Sequence, residues 1–132
     1  MTDPNIFTTS YNEIKGFWIV GSGRENNNGF KPDVIVPEVI NLPGFIDGNE
    51  IKGLSYGCFR HNTVIREIIL PETLVEISDT SIADVKSLLR VTIPSSVKVI
   101  EAYFSTNNNL QYVIFKKNSS LTIIGEYFYG LL

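Results

Sequence analysis

Apolar and polar positions in this chain repeat as a phrase. Between Ile65 and Ile100 the order apolar-x-apolar-Pro-x-x-apolar-x-x-Ile occurs twice. It is Ile68-Ile69-Leu70-Pro71 with Leu74 and Ile77, then Val91-Thr92-Ile93-Pro94 with Val97 and Ile100, every position offset by 23. A fixed period of this length marks a solenoid built by stacking one unit. The period extends backwards, since Ile51, Leu54 and Phe59 precede Leu74, Ile77 and Ile82 by 23. It also extends forwards. Val113-Ile114-Phe115 follows Val91-Thr92-Ile93 by 22, and Leu121, Ile124 and Phe128 follow Val97, Ile100 and Phe104 by 24.

Each unit reads the same way. An apolar residue (Ile65, Leu88 or Leu110) opens it, and a three-residue strand follows. Proline ends the strand in two units because it has no N–H to continue a ladder; Lys116 replaces it in the last. A returning segment carries two apolar residues three apart. A turn then holds one large apolar residue: Phe59, Ile82, Phe104 or Phe128. Asn62 and Asn107 come three residues later, with Val85 at the equivalent place between them. An amide side chain there can satisfy the backbone of a tight turn. Alternation along the strands places Val34/Val36, Ile68/Leu70, Val91/Ile93 and Val113/Phe115 inward. Ile35, Ile69, Thr92 and Ile114 then form a central outward column, with Asp33, Glu67, Arg90 and Tyr112 beside it.

This pattern resembles the BspA-like, or treponemal-type, leucine-rich repeat family. LRVTIPSSVKVIEAYFSTNNNLQYVIF and SLTIIGEYFYG carry the likeness most plainly, and IDGNEIKGL occupies the place of that family's leading phrase. The resemblance covers roughly residues 17–132. It implies an α/β-type but β-rich leucine-rich repeat solenoid of right-handed sense. A short parallel sheet would line the concave side, with turns and short helical or extended pieces on the convex side. It also implies work in protein–protein recognition or adhesion at a cell surface, without catalysis.

The N-terminal third is less regular. Residues 1–16 read as a polar lead-in and 17–132 as one domain. Phe17-Trp18-Ile19-Val20 and Val34-Ile35-Val36 read as two strands joined across the turn-rich GSGRENNNGFKPD. Residues 17–37 are therefore expected to form a β-hairpin cap on the first of about four repeats. Residues 39–48, with Pro43 and Gly44, read as irregular. No polar capping segment follows Phe128, so the C-terminal side of the last repeat is expected to be open. Further chain or a second copy would cover it.

Composition narrows the chemistry. The chain has 132 residues, 43% of them hydrophobic, and a net charge of −3. Its lysines and arginines are scattered, whereas a nucleic-acid binder carries a basic stripe. The start, MTDPNIFTTSYNE, lacks the apolar core of a secretory signal. No apolar run is long enough to span a bilayer, so cell-surface placement rests on the resemblance alone. The one cysteine, Cys58, excludes an internal disulfide and a cysteine-cluster metal site; it reads as a buried spacer. His61, the one histidine, reads as a solvent-facing turn residue. Gly21-Ser22-Gly23 lacks the spacing of a phosphate loop. Asn118-Ser119-Ser120 fits a glycosylation sequon in a loop. No catalytic residue, metal or cofactor is expected.

The candidate site is the outward strand face. Ile35, Glu67, Ile69, Arg90, Thr92, Tyr112 and Ile114 are expected to meet a protein partner, with Tyr112 as anchor and Glu67 and Arg90 as adjacent opposite charges. β-branched residues also suit strands for their own sake. The alternative role is self-assembly through the open end or the exposed strand face.

Overall fold

The structure is a computed structural model and describes residues 1–101 and 106–124. Two sheets enclose one core. In the first, β3 (Val39–Asn41), β6 (Glu67–Ile69), β8 (Arg90–Ile93) and β10 (Tyr112–Phe115) lie parallel in that spatial order. The second runs β1 (Thr9–Asn12), β2 (Phe17–Val20), β5 (Asn49–Leu54), β7 (Glu76–Ile77), β9 (Val99–Ile100) and β11 (Ile123–Ile124). The short β4 (Phe45–Ile46) pairs with the start of β5.

The period fixes the register. Ile68 pairs with Val91 and Val91 with Val113; Ile77 pairs with Ile100 and Ile100 with Ile124. Each repeat therefore gives one strand to each sheet. Opposite the first sheet lie the short strands of the second, and a 3-10 segment is formed at Pro4–Ile6. Ile68, Leu70, Val91 and Ile93 from one sheet and Ile51, Leu54, Ile77 and Ile100 from the other belong to one buried cluster. Phe59 and Ile82 close it at the turns. Phe104 and Phe128, expected at the same place, lie outside the described residues, as does the C-terminal side of the last repeat.

The asparagine positions do what their spacing implies. Asn62 Oδ1 accepts from the Val64 and Ile65 N–H groups at 2.8 and 2.9 Å. Asn107 Oδ1 accepts from the Val85 N–H at 2.8 Å, and its amide donates to the Ile82 carbonyl at 2.8 Å. Both asparagines are buried. Each holds polar backbone that would otherwise be stranded in the core.

The N-terminal expectations need correction. The hairpin is β1 with β2, antiparallel, with Tyr11 opposite Trp18. Residues 9–12 are thus a strand and not lead-in. The turn is closed by the Gly16 N–H to the Asn12 carbonyl, with Gly16 at φ +79°. Lys15 Nζ then reaches both Glu76 oxygens, at 2.9 and 3.0 Å, and ties the hairpin to β7. Residues 34–36 form no strand. The first rung is Val39-Ile40-Asn41, and Leu42 and Pro43 follow it as Leu70 and Pro71 follow β6. Pro37 imitates the strand-ending proline without a strand before it. The first rung sits 28 residues before the second because β4 and its turn are inserted after it.

The turn-rich segment 21–33 packs through Asn28. Its Oδ1 accepts from Ser22 N–H and Ser55 Oγ, and its Nδ2 donates to the Glu25 and Tyr56 carbonyls. Gly21 has φ +96°, and a Cβ there would collide with Ser55 Oγ and Asn28 Oδ1. The glycine is required by close approach as well as by its dihedral.

Candidate functional site

Side chains alternate across the first sheet, so one face of each strand supports the core and the other is presented. Ile68 and Val91 are fully buried, whereas Ile69, Thr92 and Ile114 are half-buried on the opposite face. Asn41 is in register with Ile69 and therefore begins this column. The parallel column runs Val39, Glu67, Arg90, Tyr112. Ile35 is exposed, at 92%, but lies outside the ladder and is not its first member. Asp33, assigned to the second column with it, is likewise off the sheet.

Three residues of the second column are linked. Arg90 Nε stands 3.6 Å from Glu67 Oε2. The same guanidinium lies 5.9 Å from the centre of the Tyr112 ring. Tyr112 is 58% exposed. Six of the seven expected residues therefore share one surface: Glu67, Ile69, Arg90, Thr92, Tyr112 and Ile114. Two residues missed from sequence, Val39 and Asn41, extend it. Their signal was the phrase Val-Ile-Asn-Leu-Pro, which matches Glu-Ile-Ile-Leu-Pro and Arg-Val-Thr-Ile-Pro.

The inward assignment fails at the last described rung. Val113 is half-buried against the core, but Phe115 is 38% exposed. Among the described residues β10 is flanked within the sheet by β8 alone, so its inward positions receive less cover there than those of β6 or β8.

The other reactive groups occupy structural places. Cys58 is fully buried, and burial pushes its thiol well above the ordinary cysteine range. A thiol held neutral is a poor nucleophile. His61 is exposed in a turn at φ +65°, with Nε2 3.4 Å from Asp84 Oδ2. Arg60 Nε shares that oxygen at 3.2 Å. Among the described residues no three His, Cys, Asp or Glu side chains gather to hold a metal ion. No described helix is long and apolar enough to cross a membrane.

A parallel ladder of short repeats that presents side chains from successive rungs defines a repeat protein. A family model for the BspA type leucine-rich repeat region matches residues 39–130, in six copies. The chain belongs to the BspA-type leucine-rich repeat family, whose members are generally non-catalytic repeat modules for protein interaction or adhesion. No curated protein and no solved structure matches the chain.

Proposed function

We propose that this chain is a recognition module that binds a protein partner across the outer face of its four-stranded sheet. Such repeats stack into a solenoid, and the strand side of a solenoid is its usual binding surface. The observation that carries the reading is the row Glu67–Arg90–Tyr112, held side by side next to Ile69, Thr92 and Ile114. An exposed ion pair of this kind adds only ~0.2–1 kcal/mol to stability. Its arrangement therefore matters more for orienting a partner than for holding the fold. Tyr112 brings a large, stiff ring with a polar tip, the side-chain type that anchors interfaces. Ile69 and Ile114 supply apolar area beside it, and Arg90 and Glu67 supply charge at its margin.

The test uses the intact protein as bait, with cross-linking before capture, beside Ile69→Asp and Tyr112→Ala. Both substitutions lie on the presented face, so both variants should keep the circular dichroism of the parent. A partner captured by the parent should be lost by both. A partner retained equally by both variants refutes this face as the binding site.

A further inference from the structure

The free edge of β3 is only half covered. In a parallel pair, alternate residues of a strand bond the neighbour and the residues between them point away. Here the Glu38 carbonyl accepts from Arg66 and Glu67 N–H, and Leu42 N–H donates to the Ile69 carbonyl. The backbone groups of Val39 and Asn41 therefore face outward. Asn41 is satisfied by Thr2, whose N–H donates to the Asn41 carbonyl at 3.0 Å and whose Oγ1 accepts from the Asn41 N–H at 2.8 Å. Val39, two residues earlier on the same edge, has no such companion among the described residues. Val39 lines a hollow of about 590 Å3 together with the apolar Met1, Ile6, Ile35 and Pro37 and the polar Thr2, Asp3 and Asn41. Ile35 is 92% exposed there and Val39 47%.

We propose that this edge takes an extended peptide segment of another protein as an added strand. An unpaired donor and acceptor on one edge residue is a template for main-chain pairing. At Asn41, the next outward-facing residue, Thr2 already makes one of the two main-chain bonds that an added strand would make and stands in for the other with its hydroxyl. The apolar part of the lining, Ile35 and Val39, calls for a large aliphatic or aromatic side chain on the paired residue, because residues opposite one another in a sheet point to the same face. The site is thus chemically distinct from the strand face. There, side chains recognise a surface; here, backbone pairs with backbone and one apolar residue is anchored.

The test is selection of displayed random hexapeptides against the full 132-residue chain, followed by titration of single selected peptides. Val39→Pro removes the outward N–H without removing a bond to β6. Ile35→Ser removes the exposed anchor wall. Selected peptides should carry apolar residues at alternate positions and lose at least tenfold in affinity for each variant. They should bind Tyr112→Ala as they bind the parent, which separates this site from the strand face. Binding should also slow hydrogen exchange at the Val39 amide by at least tenfold. If Val39→Pro is misfolded, Ile35→Ser and the exchange measurement decide. Failure to enrich peptides over the Ile35→Ser control overturns the proposal. So does affinity unchanged in both variants, or a Val39 amide that is protected without peptide at concentrations where the chain dimerises. That last outcome assigns the edge to a second copy.

Discussion

Adjacent isoleucines on β6 give a sharp test of the register. Ile68 is fully buried between the sheets, while Ile69 is half-buried on the presented face. Truncating either to alanine removes three carbons. At about 0.8 kcal/mol per buried methylene, the transfer loss at Ile68 is about 2.4 kcal/mol. The cavity left behind raises the total to about 2–5 kcal/mol. At Ile69 part of the side chain is already in water and no enclosed cavity forms, so Ile69→Ala should cost about 1 kcal/mol or less. For a chain of this length each kcal/mol lowers the midpoint of thermal unfolding by about 3–5 °C. The assay is urea unfolding followed by far-ultraviolet circular dichroism and by the fluorescence of Trp18, the one tryptophan, on β2. Circular dichroism reports the whole ladder and Trp18 the hairpin end. Repeat proteins couple neighbour to neighbour, so coincident curves from the two probes are needed before a single free energy is extracted. Equal losses for Ile68→Ala and Ile69→Ala, or a larger loss at Ile69, would falsify the assignment of faces and remove the ground for the strand-face site.

Other outcomes follow from buried polar groups and close contacts. Asn62→Leu leaves the Val64 and Ile65 N–H groups without their acceptor, which should cost at least about 1–3 kcal/mol in the same urea experiment; a neutral result would show that water or a shifted turn satisfies them. Gly21→Ala meets both a φ of +96° and the Asn28–Ser55 contact, so a loss above about 1 kcal/mol is expected; a stability gain would mean that segment 21–33 is not seated on the turn at 55–58 that follows β5. The Cys58 thiol is held neutral by burial in the folded chain but ionises above about pH 8.5 once unfolded. The unfolded state then binds fewer protons, so this group's contribution is complete below that pH and falls as pH rises. Parent minus Cys58→Ala stability should therefore decline from pH 8 to 10, and a flat difference would contradict the burial.

The middle of this fold is legible because a ladder is almost one-dimensional. Each residue of β6 and β8 meets its counterpart one period away, so spacing alone pairs Ile68 with Val91 and Glu67 with Arg90. The first rung was obscured by competition between two prolines. Pro37 follows three β-branched residues, whereas Pro43 follows Val-Ile-Asn-Leu, and local propensity favours the former. Tertiary pairing decided otherwise, because Ile40 is buried and aligns with Ile68 whereas Ile35 points into solvent. The hairpin was missed for a related reason. Thr9–Asn12 is polar, carries no period, and becomes a strand through Trp18 and Val20 opposite it.

The same physics explains why the candidate surfaces were unequally readable. Side-chain columns follow from strand alternation, so the strand face emerged from the repeat with only the first member of each column, Ile35 and Asp33, misplaced. The β3 edge could not, because nothing in the letters Val39 and Asn41 distinguishes a backbone that is paired from one that is open. That distinction depends on Thr2 reaching Asn41 and stopping short of Val39. A repeat determines what its interior units share, while an edge is set by whatever chain lies beside it. Ile35, correctly expected to be exposed but placed in the wrong column, belongs to that second kind of surface. Its exposure acquires a physical use only beside an open strand.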